Sequence, residues 1–344
     1  MNTPVRCLVI MRLFVTILAV ALGPSLAARQ RPLPIVDVHV HANAAGSQGP
    51  PPLAMCTPVP DIVRDGDQDW ASVFMALLKK PPCSDPVWSP TTDDALMNET
   101  LEVLRRRNII GVVSGPIARV QRWRSLEPDR VIPALQFQLG PTSPSPGDLE
   151  RLHVEGQVAV FGEVTNQYVG VGPSDLAFDP YLAVAEQRAI PVGIHIGTGP
   201  PGAPYLGFSR YRAALHSPLL LEEALLRHPK LRVYIMHAGW PMLDDLLAVL
   251  WTHPQVYVDT GIIDYALPRA EFHRYLQRIV EAGFGKRVMF GSDQMVWPGV
   301  IERAIQAIES APFLTESQKR DILYNNAARF LRFSESQIAR HHGR

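Results

Sequence analysis

The sequence has no excess of charge of either sign. Lys plus Arg and Asp plus Glu each number 33 among 344 residues, so the chain has no basic surplus that could neutralise a phosphate backbone. Hydrophobic residues make up 47% of the chain and charged residues 19%, a balance that excludes disordered and collagen-like classes. We therefore expect one large globular domain that does not bind nucleic acid.

Long apolar runs are also missing. The apolar stretch from Leu13 to Leu22 is too short to span a bilayer comfortably, and Arg6 and Arg12 precede its hydrophobic part. Small residues follow, up to Ala27. This pattern predicts a signal peptide over residues 1–27, cleaved near Ala27, with an uncleaved anchor as the alternative. The mature protein would then be exported to a periplasm or to the medium, with no membrane segment.

Cysteine is scarce. Of three in the chain, Cys7 would leave with the signal peptide. Cys56 and Cys83 would remain, both in a Pro-rich segment, and export would expose them to an oxidising environment. We predict one disulfide between them, with two free thiols as the alternative.

Short β-branched runs alternate with helical patterns from Pro34 onward, and no Gly-rich phosphate loop follows the first run. The predicted strands are Ile35–His41, Ile109–Ser114, Val131–Leu139, Val158–Val164, Val192–Ile196, Arg232–His237, Val256–Thr260 and Arg287–Ser292. Eight strands with crossover helices predict an α/β fold, a (β/α)8 TIM barrel over residues 28–333. An open doubly wound sheet is the alternative, which the missing Gly-rich loop makes less favoured as a dinucleotide-binding fold without excluding its topology. Residues 42–94 form a long Pro-rich insertion after strand 1, interpreted as a partial lid, and residues 334–344 a polar, frayed tail.

The first predicted strand carries three polar side chains. Asp37, His39 and His41 alternate with three valines, so we expect the polar residues to face inward and the valines outward. Two imidazoles on one strand face can bind a common metal ion, with Asp37 as a partner for an imidazole N–H.

Other ligand-type residues end later strands. Glu163, His195, His237 and Asp293 follow the fourth, fifth, sixth and eighth apolar runs. Barrel enzymes place their catalytic groups at these strand ends. The remaining histidines of the barrel region lie away from strand ends and are not expected to be ligands: His153, His216, His228, His253 and His273.

These segments, together with the closing Asn325-Asn326-Ala327-Ala328-Arg329-Phe330, resemble the amidohydrolase superfamily. More narrowly, they resemble its amidohydrolase-related branch, which includes hydrolases and aminocarboxymuconate-semialdehyde-type decarboxylases. The resemblance extends from about Pro34 to Leu331, except for the insertion at 42–94.

The resemblance implies that His39, His41, His195 and Asp293 bind a divalent metal, most often zinc. His237 would either bind a second metal or polarise the substrate, and Glu163 would either bridge two metals or bind substrate. We favour one ion, with two as the open alternative.

The ligand types suggest that metal-activated water attacks the carbonyl carbon of a small amide, ester or lactone, with Asp293 moving the proton and His237 or the metal stabilising the oxyanion. Non-oxidative decarboxylation at the same metal site is the main alternative, although export argues against it. A non-catalytic binding protein and a metal-free structural barrel are further alternatives. The sequence leaves the substrate and the oligomeric state undetermined.

Substrate contacts are harder to predict. Four aromatic residues follow predicted strands and could line the barrel mouth or pack on its rim: Tyr168, Trp240, Tyr265 and Trp297. Arg119, after the second strand, could pair with a substrate carboxylate.

Overall fold

Eight parallel strands frame the fold in this computed structural model, which describes Met1 and residues 31–344. Apart from Met1, the predicted signal peptide lies outside the described residues. Numbered in chain order with two short strands of the insertion, β2 and β3, the barrel strands are β1 (Ile35–His41), β4 (Ile109–Ser114), β5 (Val131–Phe137), β6 (Val160–Val164), β7 (Val192–His195), β8 (Val233–Met236), β9 (Tyr257–Asp259) and β10 (Val288–Met289).

The sheet closes on itself. Neighbouring strands follow the order β1, β4, β5, β6, β7, β8, β9, β10, and all seven pairs are parallel. Past the end of β10, the Phe290 carbonyl accepts a hydrogen bond from the Val38 amide at 3.0 Å. The predicted (β/α)8 barrel is confirmed, because sequence-adjacent strands pair in order and the last one returns to the first.

Helices surround the barrel. In the described residues they are α1 (Trp70–Lys79), α2 (Asp93–Arg106), α3 (Ile117–Leu126), α4 (Pro146–Val154), α5 (Asp179–Gln187), α6 (Glu222–Arg227), α7 (Leu243–Thr252), α8 (Ile263–Ala266), α9 (Arg269–Ile279), α10 (Val300–Glu309), α11 (Glu316–Arg320), α12 (Asn326–Phe330) and α13 (Glu335–His341). Local sequence explains their ends: the Thr92 side chain caps α2 by accepting from the Ala95 amide, and acidic residues occupy its first turn.

The barrel interior is apolar below the strand ends. The Tyr234 hydroxyl of β8 donates to the Val38 carbonyl of β1 at 3.2 Å, and this contact crosses the interior because these strands are not neighbours. Val36 and Val38 belong to the cluster around Tyr234, whereas Val40 belongs to the larger cluster that contains Leu101 and Leu104 of α2. The prediction that all three valines face outward is wrong, because the register of β1 shifts between Asp37 and Val40.

Several predicted strand boundaries differ from the structure by one to three residues, and the last strand differs most. The last strand ends at Met289, three residues earlier than predicted, because the chain leaves the sheet and the Phe290 amide donates to the Ile322 carbonyl. The predicted frayed tail is instead helix α13, which Ser334 and Gln337 begin with a reciprocal capping box. The Tyr324 hydroxyl and His341 Nδ1, 2.9 Å apart, hold this helix to the barrel.

The insertion is tied to the barrel at several points. Cys56 and Cys83 form a disulfide, with Cα atoms 5.9 Å apart, and closing a loop of this size contributes about 3 kcal/mol to stability. Its short strands, β2 (Ala54–Met55) and β3 (Val87–Trp88), pair antiparallel. The Trp70 indole N–H donates to the Pro201 carbonyl of the β7–α6 connection at 3.0 Å. These bonds hold α1 beside the barrel mouth.

No helix in residues 31–344 combines the length and apolar character needed to cross a membrane.

Candidate metal centre

Ligand-type side chains converge at the carboxyl ends of the strands. They are His39 and His41 at the end of β1, Glu163 in β6, His195 at the end of β7, His237 directly after β8 and Asp293 after β10, and all are buried. Among the described residues, two sets place one potential ligand atom from each side chain within 4.8 Å of one another. The first is His39, His41 and Asp293, and the second is His39, Glu163 and His237.

The carboxylates lie between the imidazoles. Asp293 Oδ1 is 3.1 Å from His41 Nε2 and 3.6 Å from His39 Nε2. Glu163 Oε1 is 3.4 Å from His237 Nε2 and 3.8 Å from His39 Nε2. His39 therefore belongs to both sets, and its Nε2 atom makes no hydrogen bond although it is fully buried. An inward-facing nitrogen without a hydrogen bond, between carboxylates, fits a metal ligand.

The other ring nitrogen of His39 determines its tautomer. His39 Nδ1 lies 3.1 Å from Asp259 Oδ2. A carboxylate oxygen only accepts, so Nδ1 carries a proton, and in the neutral ring Nε2 presents its lone pair to the site. Burial raises the pKa of Asp259, but the neighbouring His39 outweighs this effect and the pKa of Asp259 is lowered.

His41 and His237 follow the same rule. His41 Nδ1 lies 3.0 Å from the Ser114 hydroxyl, which itself donates to the Val40 carbonyl, so the hydroxyl accepts from the ring. His237 Nδ1 lies 3.0 Å from the Gly261 carbonyl, which only accepts. All three imidazoles therefore direct an Nε2 lone pair toward the carboxylates. Outer hydrogen bonds of this kind orient metal-binding histidines.

Sequence reasoning missed Asp259. Besides His39, this carboxylate accepts from the amides of His237 and Gly261, both at 2.9 Å, so it holds two parts of the site. Its signal was present, because it ends a predicted strand as the other ligand-type residues do. Gly261 must be glycine here: a Cβ at this position would lie 2.6 Å from His39 Nδ1.

Asp37 does not have the predicted role. Its Oδ1 atom accepts from the backbone amides of His39, at 3.0 Å, and Ser292, at 2.9 Å. Burial raises the pKa of Asp37 to about 6. Asp37 thus joins β1 to the chain after β10, and Asp259 supplies the imidazole contact that was expected of Asp37.

His195 joins the cluster through Glu163. His195 Nδ1 is 2.5 Å from Glu163 Oε1 and 2.9 Å from His237 Nε2, and its Nε2 makes no hydrogen bond. His195 belongs to neither of the two ligand sets. Of the four ligands first predicted, the structure thus brings together His39, His41 and Asp293, and it places His195 beside Glu163.

The buried carboxylates of the cluster need a compensating positive charge. Burial lowers the pKa of His39, but Asp293, Asp259 and Glu163 outweigh it and raise the pKa to about 10. Burial raises the pKa of Glu163, yet His195 and His237 bring it well below its usual value. Carboxylates buried together are stable only with a compensating cation. A divalent metal would satisfy this demand, and the donor set fits one.

Two of the potential ligands have unusual backbones. His237 and Asp293 adopt φ angles of 60° and 49°, a left-handed region that non-glycine residues rarely occupy. The Asp293 amide donates to the His39 carbonyl at 2.7 Å, and the Tyr265 hydroxyl donates to the Asp293 carbonyl at 2.8 Å. These bonds hold the Asp293 carboxylate over the end of β1, and such conformations cluster at functional sites.

A cavity of about 550 Å³ opens onto the cluster. His41, Glu163, His195, His237 and Asp293 form its inner end, and side chains of α1 and the rest of the insertion line its outer part. The insertion therefore lines the mouth of the cavity, and its action as a lid stays a prediction.

The predicted substrate contacts divide into two groups. Tyr168 and Trp297 line the cavity, and Tyr168 packs edge-on against His195 with ring centroids 5.0 Å apart. Trp240 lies outside the lining and directs its indole N–H to Glu271, 3.4 Å away. The role suggested for Arg119 is wrong, because Arg119 also lies outside the lining and pairs with Asp93 at 2.6 Å.

His216 lies close to the site although its sequence position suggested no role. It is fully buried, and its ring centroid is 5.4 Å from that of His195. Burial lowers the pKa of His216 to about 3, so the ring is neutral. It belongs to neither ligand set.

Asp259→Asn should weaken metal binding about 10- to 100-fold, as losses of outer-shell partners usually do. The asparagine amide oxygen can still accept from His39 Nδ1, but it lacks the negative charge that makes the carboxylate the stronger acceptor. Affinity would be measured by competition with a chelating dye, with the exposed Asp129→Asn as the matched control. Unchanged affinity in a variant with a wild-type circular dichroism spectrum would contradict the role of Asp259.

Comparison with known proteins identifies a protein family that matches the chain around this site. The amidohydrolase family matches residues 36–333 of the chain. No curated protein sequence matches it.

Solved structures with the same fold include hydrolases and decarboxylases. An uncharacterised TIM-barrel protein from Bordetella bronchiseptica has a TM-score of 0.58 at 17% identity, covering 91% of this chain and 100% of that one. A probable 2-pyrone-4,6-dicarboxylic acid hydrolase from Acinetobacter baumannii has a TM-score of 0.54 at 16% identity, covering 87% and 99%. A 5-carboxyvanillate decarboxylase from Novosphingobium aromaticivorans, complexed with manganese, has a TM-score of 0.55 at 13% identity, covering 89% and 97%. Identities this low show the shared fold alone.

Proposed function

The chain belongs to the amidohydrolase family, and we propose that it is a metal-dependent hydrolase acting on the carbonyl carbon of a small-molecule amide, ester or lactone. Family membership supports an enzyme that acts on a small molecule. The choice of hydrolysis, and the residue roles below, are part of the proposal.

One observation carries the proposal most directly. Three imidazoles, two on β1 and one directly after β8, direct their Nε2 atoms toward two buried carboxylates. A separate acceptor holds the Nδ1 atom of each ring. Such a set costs stability unless a cation fills it. Natural chains keep such arrangements at functional sites, and here the site opens into a cavity.

A bound divalent cation would supply Lewis acidity, lowering the pKa of a water and polarising the substrate carbonyl. Asp293 would take the proton of the attacking water and pass it to the leaving group. Its carboxylate suits this role because it lines the cavity and its backbone is held on both sides.

His237 and Glu163 complete the proposed chemistry. Both line the cavity, with His237 Nε2 3.4 Å from Glu163 Oε1. Burial lowers the pKa of His237, but the contact with Glu163 outweighs it and the pKa is raised. The protonated ring, when it is not itself a ligand, would donate a hydrogen bond from Nε2 to the developing oxyanion. Glu163 would keep His195 oriented, since it accepts from Nδ1 of that ring.

We propose one ion, with zinc as the expected metal. The two ligand sets share His39, and the single Nε2 lone pair of His39 can bind only one ion. Imidazole and carboxylate together are common zinc ligands. Manganese in the decarboxylase from Novosphingobium aromaticivorans makes that metal the first alternative to test.

Decarboxylation is the second candidate, because the structural neighbours include a 5-carboxyvanillate decarboxylase as well as a hydrolase. Both reactions can use the same metal-binding residues. They differ in what leaves: decarboxylation releases carbon dioxide, and hydrolysis inserts an oxygen atom from water into the product.

We also propose that the protein acts after export. The apolar N-terminal segment supports a cleaved signal peptide. The Cys56–Cys83 bridge supports an oxidising compartment, since such bonds are rare in reducing ones.

The proposed function is tested by metal quantification on the purified protein, followed by a panel of esters, lactones, amides and aromatic carboxylic acids in ¹⁸O-labelled water. We expect about one metal per chain and one ¹⁸O in the product acid, with no carbon dioxide. Release of carbon dioxide without ¹⁸O in the product would show that the protein is a decarboxylase and not a hydrolase. A protein that binds no metal under any loading condition would refute both.

A further inference from the structure

We infer that the substrate is neutral and largely apolar, an ester, lactone or amide with a hydrocarbon body. This inference rests on the proposed function and adds the substrate class. The evidence for it is the set of side chains that line the cavity wall.

Hydrocarbon and thioether side chains make up most of the outer wall, and the insertion adds the neutral polar residues Asn43, Ser47 and Gln48. From the insertion come Phe74, Met75 and Leu78, and from the barrel loops come Phe208, Ile262 and Met295. The three residues of α1 are only partly buried, because this face of the helix is directed into the cavity. Partly exposed apolar side chains on a cavity wall favour an apolar ligand.

Charge is confined to the metal-binding end. Among the described residues that line the cavity, the ionisable side chains other than Tyr168 and the bonded Cys56 are His41, Glu163, His195, His237 and Asp293. None of the described lining residues is Arg or Lys. Two of the cations nearby in sequence have other contacts: Lys79 donates to the Pro52 carbonyl at 3.0 Å, and Arg64 stacks on Tyr205 at 4.5 Å. A third, Lys80, is exposed and does not line the cavity.

A carboxylate on the body of the substrate would therefore lose its water without gaining a counter-ion. Burying an unpaired charge is strongly unfavourable. Glu163 and Asp293 would also repel an anion that enters the inner end. The metal could accept one anionic group at most, and the apolar wall would leave any second one unpaired.

Neutral polar groups lie where the wall meets the metal-binding end. Gln136 donates to Glu163 Oε2 at 3.1 Å, and the Thr165 hydroxyl contacts Gln138 Oε1 at 3.4 Å. These three residues line the cavity. They offer hydrogen bonds to an ester or amide without adding charge. The cavity volume of about 550 Å³ suits a molecule of ordinary ligand size.

The test uses the metal-loaded enzyme and two esters that differ by one charge, p-nitrophenyl hexanoate and the p-nitrophenyl monoester of adipic acid. We expect kcat/KM for the neutral ester to exceed that for the anionic ester by about 100-fold, the order expected for an unpaired buried charge. Equal rates, or faster turnover of the adipate monoester, would overturn the inference.

A variant pair tests whether the wall itself sets this preference. Phe74→Lys places a cation on the cavity wall, and Phe74→Gln is the matched neutral control. Phe74→Lys should reduce the preference at least tenfold, whereas Phe74→Gln should leave it close to wild type. Identical preferences in the two variants would contradict the assignment to this wall.

Binding of two ketones, which cannot be hydrolysed, separates this inference from the proposed function. Calorimetry would compare hexanophenone with 6-oxo-6-phenylhexanoate, and we expect the neutral ketone to bind at least tenfold more tightly. If neither ester is hydrolysed and this binding preference persists, the ligand class is supported and hydrolysis of such esters is refuted. A preference for the anionic ketone would overturn the ligand class whatever the activity.

Discussion

Asp293→Asn will lower kcat by about 10²- to 10⁴-fold, the contribution that a positioned general acid–base group usually makes. An amide has nearly the shape of the carboxylate but cannot take the proton of the attacking water. Two hydrogen bonds hold this position, from the Asp293 amide to the His39 carbonyl and from the Tyr265 hydroxyl to the Asp293 carbonyl. Both use backbone atoms of Asp293, so the substitution leaves them in place.

Asp293 is also a proposed ligand, so the metal content of the variant must be measured beside its activity. Asp293 Oδ1 lies 3.1 Å from His41 Nε2, and an amide oxygen at that point can still contact a cation. The decisive comparison is kcat per bound metal, with Asp129→Asn as the control for a lost surface carboxylate. Wild-type kcat per metal in Asp293→Asn would refute the acid–base role.

Removing the metal should abolish activity and lower stability together. Dialysis against a chelator is expected to bring turnover to background, and zinc or manganese should restore it. A ligand that binds only the folded state stabilises it by about 4 kcal/mol at a thousandfold excess over its dissociation constant. The loss should be visible because Glu163, Asp259 and Asp293 are buried together and would keep only the imidazoles as counter-charges.

Thermal unfolding of the loaded and chelated protein, with and without added metal, measures this effect. Asp259→Asn should show a smaller shift on loading, since the orientation of His39 depends on that carboxylate. A melting temperature that does not respond to metal, in protein shown by analysis to bind it, would contradict the cluster as the binding site.

Much of the site was predictable because it lies at strand ends. Parallel strands that alternate with helices bring their carboxyl ends to one face. His39 and His41 alternate with valines in the first strand, and Glu163, His237 and Asp293 follow later apolar runs. Their convergence therefore required only the correct strand assignment. The disulfide was predictable for a different reason: the two cysteines expected in the mature chain lie in the same Pro-rich segment.

Other features depended on local backbone geometry. The valines of β1 were misassigned because strict alternation fails where the register shifts between Asp37 and Val40. Asp37 therefore hydrogen-bonds backbone amides, and Asp259 receives the His39 ring. Arg119 was misjudged because its partner, Asp93, lies on a neighbouring helix and is 26 residues away in sequence.

By itself, the sequence determined the barrel, the strand ends that carry the ligand-type residues, and the single bridge in the insertion, since periodicity and residue type are properties of short segments. Only the tertiary structure decided which nitrogen of each histidine faces the carboxylates, which acid orients His39, and which side chains of the insertion cover the cavity. These depend on atoms brought together from distant segments, and differences of about an ångström in their positions separate a ligand from a neighbour.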